Sequence, residues 1–548
     1  MKTPSPFDLS GTNSASSVQE RPASEPQISA QLNDSANVSA EDASRFLSQA
    51  GFGGTDKEIA RVIRLGYIEW IDAEIRRSSG SKRFNWLKQA GYLEESKRRG
   101  GSGDFERVSW KRMIVGNDVL RQRMTLALSE IFVVNPSNMP KTGGFKGAGA
   151  AAYLDMLDRL GFGSYRELLG AVTTSLQMGT YLSMRGSRRA DGTGRAPDEN
   201  YAREILQLFS IGLVDLRSDG TALLDANGQS RESYTQDDII GLAAVFTGWD
   251  HSEVRPSRSG ADFWNQPMRF IPRYHDNREK RFLGTIIPAG TDGVTALNLA
   301  LDRIASHPNV PPFISRQLIQ RFVTSNPTPA YVQRIAGVFL DDGNGRRGQL
   351  GAVLKAILLD DEARIQPTGQ QALTYGKVRE PVVRFVQWAR TFRLNGVSGV
   401  WPIRDLSDPS DELAQSPLRS NSVFNFFRPG YSPPNTNLSS QNLVAPELQI
   451  TNETSVVGYA NYMHRVIEKG VGMLKPNYSK ELRLAARPAE LVSHLDTLLV
   501  GGALSYETWQ TIVNALDAMK SKTRAHRLRR VHAAILLIMV SPDYLIQR

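Results

Sequence analysis

A mainly α-helical fold, one large multi-helix globular body with one or two small β-hairpins, is what this chain of 548 residues predicts. Three observations carry it. Apolar residues recur at i, i+3 and i+4 in segment after segment, the spacing that lines one helix face. Capping residues open those segments, and glycine or proline closes them. Period-two runs are few, and no strand–helix alternation of the kind that builds a parallel sheet is present.

The elements follow in chain order. Residues 1–38 are rich in Ser, Pro, Asn, Gln and Ala. They hold too little apolar surface to offset the entropy of ordering, and a disordered tail is expected there. Residues 39–548 are read as the helical domain, with a candidate sub-boundary in the loops near 394–446. Ser39 and Asp42 have capping-box spacing ahead of Phe46 and Leu47, and Thr55 and Glu58 repeat it. Ile59, Val62 and Ile63 form a buried stripe that Gly66 ends, and Ile68, Ile71 and Ile75 start the next. The same style predicts helices over 117–132, 149–160, 164–176, 199–211, 236–247, 293–306, 311–324, 328–340, 348–359, 376–393, 454–469, 506–520 and 523–540. Met268 to Tyr274 and Arg281 to Ile287 flank Asp276-Asn277 and are expected to pair as a hairpin. A second is expected in 213–224, around Ser218-Asp219-Gly220. Segments 76–106, 135–147, 184–198, 250–268, 394–422 and 428–446 read as loops.

Composition narrows the function classes. Hydrophobic residues at 40% and charged residues at 22% are ordinary for a globular protein with a core. The net charge of +10 is spread over the whole length and singles out no anionic partner. There is no cysteine, which excludes disulfides, thiolate metal sites, iron–sulfur clusters and cysteine nucleophiles. No run reaches the ~20 apolar residues of a membrane span. The opening Met1-Lys2-Thr3-Pro4-Ser5-Pro6 has neither an apolar signal region nor a twin arginine, so the sequence alone points to the cytoplasm.

Two segments are the candidates for chemistry. In Pro197 to Gly212, Asp198 is placed to cap a helix whose buried stripe is Ala202, Ile205, Leu206 and Phe209. Glu199 lies beside the stripe with Arg203 one turn on, while Glu204 and Asn200 face further out. The structural reading is an i, i+4 ion pair; the functional one is a half-buried carboxylate poised as general base or metal ligand. The second segment is Tyr274-His275-Asp276, at an expected hairpin tip. His275 suits metal ligation or proton transfer near neutral pH, and Asp276 orients it only if the chain turns back. Together, Glu199, Arg203, Glu204, His275 and Asp276 would make a site between helices. A divalent metal held by Glu199, His275 and Asp276 would then assist a hydrolytic reaction.

Other features receive plainer readings. Arg121, Arg123 and Glu130 on an apolar helix, and Arg316 and Arg321 on another, imply an internal ion network. Phe424-Asn425-Phe426-Phe427-Arg428 reads as a packing plug. The basic run from Lys520 to Arg530 lacks interleaved aromatics and reads as a solvated helix face, so nucleic acid is not an expected partner. Gly147-Ala-Gly149-Ala-Ala-Ala152 follows a loop rather than a strand and is no dinucleotide fingerprint. No phosphate loop, His-Glu-x-x-His or Gly-x-Ser-x-Gly is present.

Several long segments occur in one order: Ser44-Arg-Phe-Leu-Ser-Gln-Ala-Gly-Phe-Gly, Arg121-Gln-Arg-Met-Thr-Leu-Ala-Leu-Ser-Glu-Ile-Phe-Val-Val, Pro197-Asp-Glu-Asn-Tyr-Ala-Arg-Glu-Ile-Leu-Gln-Leu-Phe-Ser-Ile-Gly, Phe246-Thr-Gly-Trp and Tyr274-His-Asp. His307-Pro-Asn-Val-Pro-Pro-Phe-Ile-Ser-Arg-Gln-Leu-Ile, Val423-Phe-Asn-Phe-Phe-Arg-Pro-Gly-Tyr and Thr451-Asn-Glu-Thr follow. Across roughly 40–548 the chain resembles DUF1800, a large bacterial family named for a domain of unknown function. The resemblance implies a bacterial source and no particular reaction. It also implies an extracytoplasmic setting and, as a partner, a sulfatase-like protein of the DUF1501 type. The alternative to an enzyme is therefore a non-catalytic scaffold or subunit for such a protein.

Overall fold

Helix boundaries follow the capping chemistry. In the computed structural model, which describes residues 38–93, 104–138, 146–252, 260–396 and 399–548, the Ser39 hydroxyl accepts from the Asp42 amide at 3.0 Å and opens helix Ala40–Ala50. Thr55 and Glu58 form a reciprocal capping box for Asp56–Arg76. Gly66, at φ 71°, breaks that helix at the expected place, but a second helical stretch resumes at once. The helices Val119–Ile131, Gly293–Ser306, Pro329–Leu340, Glu453–Lys469 and Arg524–Met539 lie within two residues of their expected bounds. The fold is mainly α, with only small two-stranded antiparallel sheets among the described residues. The expected tail falls outside those residues except for Val38.

Helix Arg83–Gln89 lies within the stretch 76–106 expected as loop, and Asp104–Val115 begins in its last residues and fills the gap before the helix expected at 117. The first is only two turns long, too short for a period to show. The second buries Glu106, Arg107 and Arg112 alongside Phe105 and Trp110, so charged residues stand on its inner face and mask the apolar stripe.

The hairpins differ from expectation in one respect. Lys280–Phe282 pairs with Thr285–Ile287 around Leu283-Gly284, both at positive φ as a two-residue turn requires. Arg269–Phe270 does not join that pair; it lies against Trp249–Asp250 instead. The cause is local: the Asp276 amide donates to Thr247 Oγ1 at 2.9 Å, drawing the 274–276 segment onto 247–250 rather than into a hairpin tip. In 213–224 the chain does turn at Ser218–Gly220, with bridges Leu216↔Ala222 and Leu224↔Ser230.

One contiguous hydrophobic core runs from Ala43 to Tyr544. Helix Gln236–Val245 packs so closely on strand Lys280–Phe282 that a Cβ at Gly241 would stand 1.7 Å from the Arg281 carbonyl oxygen, and no side chain fits there. The ends of the fold are tied together: Arg45 donates to the Arg548 carbonyl at 2.9 Å and to that of Arg364 at 2.8 Å. Strand Lys377–Val378 pairs with Ile546–Gln547. Between Val400 and Pro446 regular structure is sparse, and this stretch lies across the helices Asp104–Val115, Val119–Ile131 and Pro381–Thr391. No helix of the described residues is long and apolar enough to cross a membrane.

Candidate functional site

The helix carrying the first expected site is Asn200–Gln207, shorter than its sequence pattern. Glu199 is its first flanking residue. Asp198 accepts from the Asn200 amide at 2.9 Å, a turn contact one position earlier than a cap. The stripe Ala202, Ile205, Leu206 and Phe209 is fully buried. Glu199 and Arg203 form the i, i+4 ion pair at 3.3 Å, each roughly 40% exposed, and Gln236 bridges both. Such a pair is worth only ~0.2–0.5 kcal/mol. Glu204 departs from its expectation: it is buried, not outward-facing, and its Oε2 has no hydrogen-bond partner. Burial pushes its carboxyl pKa up, against the nearby Arg203.

His275 is also buried rather than exposed at a tip. Its Nδ1 lies 3.0 Å from the Thr247 carbonyl oxygen, which can only accept, so Nδ1 carries the proton and the unpartnered Nε2 holds a lone pair. Burial lowers the His275 pKa, and the ring is neutral at pH 7. Asp276 does not orient it. Its carboxylate is held in a fork by Arg278 at 2.6 and 3.0 Å. Among the described residues no group of three or more His, Asp or Glu side chains is arranged to hold a metal ion, so Glu199, His275 and Asp276 form no ready ligand set.

A dense buried constellation lies elsewhere, where the ion network was expected. Arg123 and Glu130 stand two turns apart on helix Val119–Ile131, and Arg321 comes from Val310–Phe322. Lys377 sits on the strand closed by Ile546–Gln547. Glu380 immediately precedes Pro381 at the start of Pro381–Thr391, Gln415 comes from irregular chain, and Glu447 lies in the single turn Pro446–Ile450. All seven are buried. Lys377 Nζ lies 3.5 Å from Glu380 and 3.0 Å from Glu447. Arg123 stands 3.6 Å from Glu380, and Arg321 3.3 Å from Glu130. Arg121, expected in the same network, instead donates to the carbonyls of Ile75, Arg77 and Asp158.

Gln415 sets the geometry of the two central carboxyls. Its amide oxygen accepts from the Val382 backbone at 3.2 Å, which leaves its NH2 group to bridge Glu130 at 3.2 Å and Glu380 at 2.9 Å. One amide group thus holds the two carboxyls side by side. Two adjacent buried carboxyls do not both ionise, and their surroundings decide which keeps the proton. Burial and the Glu380 charge hold the Glu130 pKa well above the usual range. Burial acts on Glu380 in the same direction, but Lys377, Arg123 and Arg321 outweigh it and drive its pKa well down. The N-terminus of Pro381–Thr391 adds a favourable dipole beside it. Of the two, Glu380 ionises first and Glu130 holds its proton to higher pH.

A small cavity of ≈ 10 Å³, room for about one water, adjoins the pair and is lined by Glu130, Gln415, Ser416 and Asn425 among others. Ser416 Oγ and Asn425 Nδ2 are buried there with no hydrogen-bond partner. The segment 413–427 forms its cover. Three non-glycine residues in it, Ala414, Leu418 and Asn425, have φ between 57° and 65°. Such left-handed backbone costs on the order of 1–3 kcal/mol each and concentrates at ligand clamps and active sites.

The cover is fastened by Arg419, which reaches Glu106 at 2.5 Å and Ser137 at 2.7 Å. Burial pushes Glu106 up to about 7 despite that arginine. Burial, with Asp405 and Asp408 close by, brings Glu412 to about 7 as well. A carboxyl whose folded pKa is raised adds stability that is full below its unfolded value, about 4.3, and is gone once the pH has risen through 7. The free energy of urea unfolding is therefore expected to fall between pH 5 and 7.5, and Glu106→Gln to remove up to ~3 kcal/mol of that fall. An unchanged pH profile in the variant would refute this assignment.

Sequence reasoning reached Arg123, Glu130 and Arg321 but missed Lys377, Glu380, Gln415 and Glu447. Two of the four had a usable signal: Glu380 and Glu447 flank the prolines that begin helical turns, where a buried carboxylate meets the helix dipole.

A helical body with a buried, amide-bridged carboxyl pair beneath an irregular, strained cover is the class that fold and site define. Over residues 45–546 the chain matches the family model described as protein of unknown function, DUF1800, and it belongs to that family. No curated protein and no solved structure matches it.

Proposed function

We propose that this protein is a hydrolase acting by general acid–base catalysis at Glu130 and Glu380. Two buried carboxyls bridged by the Gln415 amide, beside a cavity with unpartnered polar atoms, are the observation that carries the reading. Glu380, ionised, takes the proton of an attacking water. Glu130 donates its proton to the leaving oxygen of the substrate. Gln415 holds both carboxyls in position, and Ser416 and Asn425 supply hydrogen bonds to the bound substrate. The cavity accepts no more than a water as it stands, so the substrate enters when the 413–427 cover withdraws. The interhelical polar site expected for a hydrolase is thus assigned to this pair, and the divalent metal has no role in the steps proposed.

A test independent of the natural substrate is a small epoxide. The Glu380 carboxylate attacks a ring carbon, an ester bond forms as the ring C–O bond breaks, and the Glu130 proton passes to the new alkoxide. Peptide mass spectrometry after reaction at pH 7 is expected to find the ester on Glu380 in preference to exposed acids. Labelling only of exposed Asp and Glu would refute the reading. It would favour the non-catalytic alternative, a subunit for a DUF1501-type sulfatase-like protein, in which the pair is purely structural.

A further inference from the structure

A second feature shares no residue with the carboxyl pair. The chain between helix Leu176–Tyr181 and helix Asn200–Gln207 encloses an open basin of ≈ 470 Å³ whose lining includes Arg185, Arg188 and Arg195. Its floor is held by main-chain contacts to the 247–249 and 271–275 segments. The Gly186 amide donates to the Trp249 carbonyl at 2.8 Å, and Gly248 to that of Ser187 at 2.9 Å. Arg189 donates through its amide to Tyr274 at 2.9 Å. The Ser187 hydroxyl accepts from the Asp198 amide at 3.1 Å, fastening the far wall.

The arginines are placed but not neutralised. Arg188 lies over the Tyr274 ring at 3.8 Å, and Arg273 over the same ring at 4.7 Å. Stacking of this kind fixes a guanidinium plane while leaving its N–H edge open. Neither Arg185 nor Arg188 pairs with a carboxylate or makes a side-chain hydrogen bond among the described residues. Arg195 is shared with Asp191 at 3.4 Å. One acid, Asp198, lines the basin, and its carboxylate already accepts from the Asn200 amide. The basin therefore has an excess of positive charge, and half-buried arginines without acid partners are unusual where no anion is to be met.

We propose that this basin binds a tetrahedral oxyanion, the phosphate or sulfate group of a monoester, with Arg185 and Arg188 as its main ligands. A guanidinium presents parallel N–H donors that match two oxygens of such a group. Two arginines lining one basin, with the exposed Arg195 beside them, provide a clamp of that chemistry. Phosphate and sulfate esters share the recognised group, and the experiment separates them.

Full-length protein is titrated with sodium phosphate and with sodium sulfate by calorimetry at pH 7.5, with ionic strength held constant by sodium chloride. Saturable binding of one or both is expected, and the tighter of the two identifies the ester class. Arg185→Ala/Arg188→Ala is expected to weaken it at least tenfold. The two side chains line the basin without acid partners, and the melting transition in chloride serves as the folding control. Heats no different from chloride in the parent protein, or binding undiminished in a folded double variant, would overturn the proposal.

Discussion

The double variant Glu130→Gln/Glu380→Gln is expected to be far less stable than the two single variants together predict. Each single change leaves one carboxyl able to carry the charge. With Glu130 replaced, Glu380 stays ionised, and the glutamine imitates the protonated acid it replaces. With Glu380 replaced, the like charge that kept Glu130 protonated is gone, and Glu130 ionises in its place beside Arg321, 3.3 Å away. With both replaced, Arg123, Arg321 and Lys377 face Glu447 alone. Removing the partner of a buried charge costs about 3–5 kcal/mol. Coupling between neighbours in one network reaches ~0.5–3 kcal/mol. Urea denaturation of the four proteins of the cycle measures it. Additive losses, within about 0.5 kcal/mol, would mean that the two carboxyls are not coupled.

The second large effect separates chemistry from stability at one residue. Glu130→Gln keeps shape, neutrality and the hydrogen bond to Gln415, yet it removes the transferable proton. General acid catalysis contributes about 10²–10⁴-fold. Epoxide opening by Glu380 is expected to slow by about that factor in Glu130→Gln, while the unfolding free energy moves by less than about 1 kcal/mol. A labelling rate equal to the parent's would remove Glu130 from the mechanism. A labelling loss accompanied by unfolding would be structural damage, and the near-ultraviolet circular dichroism spectrum distinguishes the two.

How far the sequence reveals this molecule depends on how local each determinant is. Helices with caps and a regular apolar stripe, such as Gly293–Ser306 and Glu453–Lys469, are legible because cap, stripe and stop lie within one short window. The Glu199–Arg203 pair is legible for the same reason. Asp104–Val115 is not, because its inner face carries Glu106, Arg107 and Arg112, which interrupt the apolar stripe and are matched in part by distant chain, Arg419, the Trp401 carbonyl and Asp158. Glu204 shows the sensitivity of face assignments: at ~100° per residue, a small error in the helix axis turns an outward residue inward. His275 was misplaced because its hairpin was misplaced. The actual turn, Leu283-Gly284, lies eight residues further on, and its leucine at positive φ carries no sequence signal.

The carboxyl pair was legible only in half. Glu130 on an apolar helix signals a buried charge in need of a partner. Nothing in the letters says that the partner precedes Pro381, or that an amide from the irregular 413–427 segment will bridge the two. Periodicity describes regular elements, and Gln415, Ser416 and Asn425 belong to none. Their positions depend on left-handed turns at Ala414, Leu418 and Asn425, which tertiary packing imposes against local preference.

The network from Arg123 to Glu447 also bears on how the chain reaches its fold. Its members come from stretches separated by hundreds of residues, and contacts of such high order form late, after the entropy of closing long loops has been spent. Until then each of these charges remains hydrated, and a collapsed chain that enclosed some of them without the rest would be penalised by several kcal/mol per unpaired ion. The apolar residues would tolerate many arrangements of so many helices. The buried charges accept one, and they act during folding as a test of register that a misassembled core fails.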